Sequence, residues 1–393
     1  MITCPRGVVP LLGSELAALG FPVLSAQETV VETTGTLADA MLLNLHLRSG
    51  QRVLFLFREF RAGDAEELYR AISEIAWEEY IDEGGYFCVN SSVNNPTIRD
   101  SRYANVRCKD AIVDRLRRET GARPDCGPDR ERLVLFLYWQ GEDAAIYLDT
   151  SGLPLYRRGY RRIPLEAPMQ ETLAAALVMS AGWSGEGHFI NPMCGSGTLA
   201  IEAALIALKT APGLLRSNFG FMNVKGFDRT TWESLRARAR NSARKSLQGR
   251  IIATDVRGEA VNAARRNAAA AGVDHLIEFG VCDYAMTDVP AGGGVVMVNP
   301  EYGARMGRIS ELENVYSGIG DYFKQKCSGY RGYVFTGNLQ LAKKIGLRSS
   351  RRSIFFSGDI ECRLMEYELY AGSRKHAGRA GIHGEGKEKQ DGQ

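Results

Sequence analysis

Apolar and polar positions follow two different rhythms along this chain. In the first half, short helical and strand-like patterns succeed one another. "PLLGSELAALG" places Leu11, Leu12, Leu16 and Leu19 at helical spacing and stops at Gly20. "QRVLFLFREF" reads as a strand. "SRYANVRCKDAIVDRLRRE" predicts a long helix with Tyr103, Val106, Ile112, Val113 and Leu116 on its apolar side. "RLVLFLYWQGEDAAIYLDTSG" predicts two strands around the turn Gln140-Gly141-Glu142-Asp143. This is an α+β region ending near Gly152.

The second half is more regular. "QETLAAALVMSAG" predicts a helix. A short apolar piece, His188-Phe189-Ile190, runs into "NPMCGSGT" and a nearly all-apolar helix, "LAIEAALIALK". After a polar insertion at roughly 210 to 249, strand and helix alternate: "RIIATDV" and "GEAVNAARRNAAAAG", then "LIEFGVCD", then "GGVVMVNP" and "SELENVYSGIGDYFKQK". Strands "GYVFTGN", "SIFFS" and "ECRLMEYELYA" close the pattern. Such repeats imply an α/β fold with a parallel, doubly wound sheet and a hairpin at one edge. The Gly- and charge-rich tail from Ser373 is expected to be disordered.

A length of 393 residues implies two or three domains. No run approaches the ~18 to 20 apolar residues of a membrane span. The N-terminus lacks a basic stretch followed by a long apolar one, so no secretory signal is expected and a cytoplasmic location is. The eight cysteines are scattered without a C-x-x-C pair, and the histidines do not cluster with them. Reduced thiols and no metal site are expected. The net charge of +3 is too small to announce a nucleic-acid partner. It is unevenly spread, however. "LYRRGYRRIP" and "SLRARARNSARKS" are basic runs, and either alone also reads as a solvated face.

In an open α/β sheet, ligands collect at the carboxyl ends of the strands. After the first of these strands, Gly195 and Gly197 let backbone pass close under a ligand, and the following helix offers free N–H groups. Asp255 ends the second strand, where a carboxylate can accept both hydroxyls of a ribose. Asp283 ends the third, where one can accept from an adenine amine. Either acid alone is equally a helix N-cap. Together the three strand ends specify an adenosine-shaped ligand. No G-x-x-x-x-G-K-[ST] loop is present, so a nucleoside triphosphate fits less well.

The fourth strand ends at Asn299-Pro300. An exocyclic base amine is a poor nucleophile because its lone pair is conjugated with the ring. The Asn299 side-chain oxygen and the Pro300 carbonyl can hold both amine hydrogens and turn the lone pair toward an electrophile. The amine gains positive charge as it attacks, so these acceptors favour the transition state over the ground state. Tyr302 offers a face for an unstacked base, and Gly303 keeps the approach open.

At these residues the chain resembles a family. The second half is similar to class I S-adenosylmethionine-dependent methyltransferases of the amine-methylating type, whose motif is Asn-Pro-Pro-Tyr. "NNPTIRDSRYANVRCKDAIVD", "LYRRGYR", "QETLAAALV", "NPMCGSGTLAIEAA", "APGLLR", "NPEYGARMG", "TGNLQLAKKIGL" and "FFSGDIECRL" narrow the resemblance to the THUMP-domain enzymes that modify guanine N2 in large-subunit ribosomal RNA. The resemblance implies a ferredoxin-like segment (1–60) and a THUMP RNA-binding domain (61–160). A Rossmann-like, seven-stranded methyltransferase domain (161–372) follows, then the tail (373–393). It implies S-adenosylmethionine as cofactor. Gly195, Ser196 and Gly197 would line its methionine part, with Glu171 and Thr172 near its amino-acid end. Asp255 would hold the ribose and Asp283 would meet the adenine, and Met193, Val256, Tyr284 and Asn299 would complete the cofactor site. Asn299, Pro300 and Tyr302 would present the target amine.

One position departs from the family pattern: Glu301 stands where a second proline is usual. It leaves both acceptors in place and loses some loop rigidity. Its carboxylate is also a candidate partner for the base or for Arg305. For RNA capture the candidates are Arg99, Arg102 and Lys109 on or beside the long helix, and Arg157, Arg158, Tyr160 and Arg161 at the domain junction. Ribosomal RNA is the expected partner. Adenine-N6 methylation of RNA or DNA is the alternative activity. An RNA-binding assembly factor with a decayed catalytic loop is the alternative of a different class.

Overall fold

The computed structural model describes residues 1–165, 168–302 and 309–370. Gly303, Arg305 and the tail from Ser373 lie outside the described residues.

The N-terminal half is built on one mixed sheet. Its strands are β1 (Ile2–Thr3), β2 (Ser25–Ala26), β3 (Val30–Glu32), β4 (Arg52–Arg61), β5 (Tyr86–Asn94), β6 (Asp125–Cys126), β7 (Leu133–Gln140) and β8 (Asp143–Asp149), in the order β2-β3-β1-β4-β8-β7-β5-β6. The long strand β4 serves both sides. Arg52 and Val53 pair with β1, and Leu54 to Arg61 pair with β8 across a bulge between Leu56 and Arg58. The expected hairpin joins β7 to β8. Its turn has Gly141 at φ 60°, a conformation that follows the right-handed twist of the strands.

Four helices cover this sheet: α1 (Val9–Ala18), α2 (Leu37–His46), α3 (Ala65–Ser73) and α4 (Ser101–Thr120). Helix α4 starts at Asp100, whose side chain accepts the Arg102 N–H, and ends at Gly121 with φ 72°. Its buried face differs from the expected one. Ala104, Cys108, Ala111, Ile112, Val113 and Leu116 point inward, whereas Tyr103 and Val106 are 51% and 45% exposed. The small side chains at 104, 108 and 111 follow the helical repeat and let α4 lie close on α3 and β5. Tyr103 and Val106 fall off that stripe.

The second half has helices α5 (Glu171–Ser180), α6 (Thr198–Ala207), α7 (Arg229–Ser242), α8 (Gly258–Ala270), α9 (Ile309–Lys326) and α10 (Leu339–Lys344). They surround strands β9 (His188–Pro192), β10 (Ile251–Asp255), β11 (Ile277–Val281), β12 (Gly294–Val298), β13 (Tyr330–Thr336), β14 (Arg351–Ser357) and β15 (Ile360–Glu368). The order is β11-β10-β9-β12-β13-β15-β14. The strands from β11 to β13 are parallel, and β15 is antiparallel to both of its neighbours. This is the expected seven-stranded Rossmann-like sheet. Its order reverses between β9 and β12, which makes the crevice above them the natural ligand site.

The hydrophobic cores do not follow the sheets. Ile2, Leu12 and Leu45 share one core with Leu177, Leu199 and Phe189, on the α5–α6 face of the second sheet. Trp77, Ile112 and Trp139 centre a separate core around α3, α4, β5 and β7. Val296, Tyr316 and Phe323 fill a third, beneath α9. The insertion at 210–249 is less polar in structure than in pattern. Phe219, Phe221 and Trp232 are buried together, with ring centroids 5.0 to 5.3 Å apart. Val224 reaches into the separate core.

Candidate active site

The ends of β9, β10 and β11 are stitched to one another. The Cys194 N–H donates to the Thr254 carbonyl (2.8 Å), and the Gly195 N–H donates to Asp255 Oδ2 (2.9 Å). The Cys282 N–H donates to the Asp255 carbonyl (3.1 Å). The loop itself is tightly wound, with Met193, Gly195 and Gly197 all left-handed at φ 69°, 53° and 84°. The two glycines serve different ends. A Cβ at Gly197 would stand 2.9 Å from the Ala264 Cβ, so this residue lets the loop sit against α8. A Cβ at Gly195 would meet no atom within 4 Å, so this residue faces open space above the strand ends.

Asn267, buried in the Ala-rich helix α8, locks the loop from behind. Its Oδ1 accepts the N–H groups of Arg162 (2.8 Å) and Ile163 (3.0 Å), and its Nδ2 donates to the carbonyls of Ile163 and Ser196 (both 3.1 Å). Sequence reading missed this residue. Its signal was a lone amide inside "ARRNAAAAG", where a weak helix former has no local reason to be.

Asp255 is buried, and each carboxylate oxygen accepts one backbone N–H, from Gly195 and from Arg257. Each oxygen keeps further acceptor capacity. Val256 beside it is exposed. Asp283 is exposed just beyond β11 and caps a short turn by accepting the Ala285 N–H (2.9 Å). Tyr284 is half-buried against Tyr322.

The start of α5 closes the near side. Glu171 and Thr172 are buried, and Thr172 Oγ1 has no hydrogen-bond partner among the described residues. Arg161, expected as an RNA contact, is turned inward here. Its Nε donates to Glu171 Oε1 (3.1 Å), and its terminal nitrogens donate to the Met169 carbonyl (2.6 Å) and, at 3.4 Å, to Ser196 Oγ. Burial raises the Glu171 carboxyl pKa, against the opposing pull of Arg161.

Two more of the expected RNA contacts are also internal. Arg158 is 2% exposed; it pairs with Glu202 on α6 (3.1 Å) and donates to the Arg48 carbonyl (2.6 Å). Tyr160 is 1% exposed and donates to the same Glu202 oxygen (3.0 Å). The segment twists at Gly159 (φ 97°), which sends these alternate side chains under α6 to a buried carboxylate. Arg157 stays outside, in a cleft of about 370 Å³ shared with Arg130 and Tyr156. Arg99 and Arg102 are exposed, Arg102 pairing with Asp100, and Lys109 lies beside Asp110.

The end of β12 lies next to the glycine loop. β12 pairs in parallel with β9 through Val296 and Ile190, and Asn191 Nδ2 donates to the Met297 carbonyl (2.9 Å). Asn299 and the loop therefore leave neighbouring strands, whose spacing is about 4.8 Å, at the same edge. Asn299 Oδ1 is buried and has no hydrogen-bond partner among the described residues, and Pro300 is buried. Glu301 is exposed; its candidate partner Arg305 is outside the described residues. Tyr302 is half-buried. Its ring lies against Gly337, where a Cβ would come within 2.9 Å, and its hydroxyl is 3.7 Å from Cys362 Sγ. Burial, and then Cys362, push the phenol up to about 12, so it stays protonated at neutral pH.

These features fit an adenosine-bearing cofactor. There is open space over Gly195, a buried Thr172 hydroxyl wanting a partner, and an acid at the end of each of two successive strands.

Comparison with known proteins decides the family. The RMKL-like methyltransferase domain model matches residues 158–366, preceded by the RlmL ferredoxin-like domain over 1–54 and the THUMP domain over 62–149. The chain belongs to the RMKL-like methyltransferase family. Its methyltransferase domain has the class I fold, and its cofactor is S-adenosylmethionine. It is 38% identical over 377 residues to a ribosomal RNA large subunit methyltransferase K/L of Syntrophotalea carbinolica, covering 93% of this chain and 53% of that protein. It is 37% identical over 375 residues to the protein of the same name from Psychromonas ingrahamii, covering 94% and 50%. The chain thus spans about half the length of these curated relatives. Among solved structures, SMU.472 complexed with SAH superposes with a TM-score of 0.85 at 27% identity, covering 95% of this chain and 97% of that one. A predicted N6-adenine-specific DNA methylase from Listeria monocytogenes superposes at 0.84 with 28% identity, covering 93% and 94%.

Proposed function

We propose that the protein transfers a methyl group from S-adenosylmethionine to the exocyclic N2 of a guanine in large-subunit ribosomal RNA. The observation that carries this reading is the buried Asn299 Oδ1, without a hydrogen-bond partner among the described residues, at the strand end beside the glycine loop. A buried acceptor without a donor costs about 1–3 kcal/mol, and an incoming amine relieves that cost. The cofactor supplies a methyl group already activated on a sulfonium. This chain's residues orient the nucleophile. Asn299 Oδ1 and the Pro300 carbonyl accept the two amine hydrogens and stabilise the charge that develops as the amine attacks. Asp255, Asp283 and Thr172 hold the cofactor's polar groups.

The names of the Syntrophotalea and Psychromonas relatives favour ribosomal RNA as substrate, and the THUMP domain favours RNA over DNA. Tritium transfer from labelled cofactor to unmodified large-subunit rRNA, followed by nucleoside mass mapping, tests the reading. N2-methylguanosine at one position is the expected product. N6-methyladenosine would reassign the base, and cofactor binding without transfer to any nucleic acid would overturn the reading.

A further inference from the structure

The two basic surfaces of the molecule differ in how their charges are balanced. On α4 and the residues around it, Arg102, Arg107, Lys109, Arg115 and Arg118 pair with the carboxylates of Asp100, Glu66, Asp110, Glu78 and Glu119, and exposed Arg99 and Arg117 have no ion pair among the described residues. On α7 and the turn after it, Arg238, Arg240, Arg244 and Lys245 are exposed, and none pairs with a carboxylate among the described residues. Glu233 on the same helix pairs with none of them.

The platform beneath is rigid. Trp232 is buried in the aromatic cluster with Phe219 and Phe221, and the Arg236 guanidinium lies over its ring at 5.6 Å. The Arg244 N–H donates to the Leu208 carbonyl (2.7 Å), which ties the turn to the end of α6 beside exposed Lys209. His46, at the end of α2, is held toward its neutral form by burial and then by Arg48 and Arg238. Helix C-termini favour cations within their last turn, but a single dipole end does not balance this many.

We infer that the outer face of α7 with the following turn is a second binding site for RNA phosphate backbone, remote from the strand ends where methyl transfer takes place. The following segment returns to Gly249, which packs on Gly187 at the start of β9, the opposite end of that strand from the glycine loop. The five residues of β9 separate these two ends by about 17 Å. The site therefore grips a different part of the substrate from the target nucleotide. This inference depends on the substrate being RNA, as proposed above.

The test uses the full chain and unmodified large-subunit rRNA transcribed in vitro. In the variant R238Q/R240Q/R244Q/K245Q, affinity should fall at least tenfold near 100 mM salt. The slope of log affinity against log salt should flatten by about 3, as expected for four lost phosphate contacts. Cofactor affinity by calorimetry should be unchanged. A variant with lysine at 238, 240 and 244 should keep the parental slope. Parental affinity and slope in the glutamine variant would leave α7 a solvated face and overturn the inference, even if methyl transfer to rRNA is confirmed. If the parent binds rRNA with the expected slope difference but transfers no methyl group, the activity reading fails and this one stands. Loss of binding to anionic vesicles, with rRNA binding intact, would assign the patch to a membrane surface and also overturn it.

Discussion

The two strand ends that meet at the middle of the second sheet are built in opposite ways. The end of β9 is braced: Gly195 is tied to Asp255, Ser196 to Asn267 and Arg161, and Gly197 is seated on α8. The end of β12 presents Asn299 Oδ1 with no partner among the described residues. On the proposed reading the difference matches the two ligands of the reaction: the cofactor, common to every turnover, meets a receptacle wound in advance, and the base meets an acceptor left unsatisfied until it arrives.

Asn299→Ala should separate the two ends most sharply. The expected result is a kcat lower by about two to three orders of magnitude, with cofactor affinity within about twofold of the parent. If cofactor affinity falls as far as the rate, the two ends are not distinct. Arg161→Ala should do the reverse. It should raise the cofactor Kd about tenfold and leave kcat at saturating cofactor nearly unchanged. Arg161→Lys should not restore affinity, because one ammonium cannot span Glu171, the Met169 carbonyl and Ser196 together.

Asn267→Ala removes the brace itself. Thermal unfolding should show a loss of about 2–3 kcal/mol, partly recovered by saturating cofactor.

A control lies away from both ends, at the pair Arg115–Glu78. The hydrogen bond from Arg115 holds the Glu78 carboxyl down at about 2. A depressed carboxyl stabilises the fold above its ordinary pKa and loses that contribution as pH falls through the folded value. Stability should therefore fall between about pH 4.3 and pH 2. Glu78→Gln should flatten that limb, by about 1–2 kcal/mol after allowance for solvent screening, and leave kcat and cofactor affinity untouched. The smallest effect is expected at Glu301, which is exposed at the open end. Glu301→Gln should change the rate by no more than about twofold in single-turnover assays, and a larger change would give its carboxylate a part in catalysis.

Much of this was legible in the sequence because strand ends concentrate chemistry. The alternation of apolar strand and helix gave the second sheet, and "NPMCGSGT", Asp255, Asp283 and Asn299 fall at the ends of four of its strands. The basic run at 157–162 was not legible. An arginine looks the same whether it faces water or a buried acid, and Glu202 and Glu171 lie far along the chain from their partners. The buried face of α4 was hidden because Ala104, Cys108 and Ala111 carry little hydrophobic signal, whereas Tyr103 and Val106 carry more and face out. The aromatic cluster after α6 was diluted by the polar residues between its members.

Strand β4 has a mechanical consequence. It is hydrogen-bonded at its start to the segment that shares a core with the methyltransferase sheet, and along the rest of its length to the THUMP hairpin. A single strand, bulged between Leu56 and Arg58, thus joins the THUMP sheet to the segment packed on the methyltransferase sheet. On the proposed reading the protein works as a ruler: the distance from gripped RNA to methylated base is set by protein geometry, and the RNA has to do the bending.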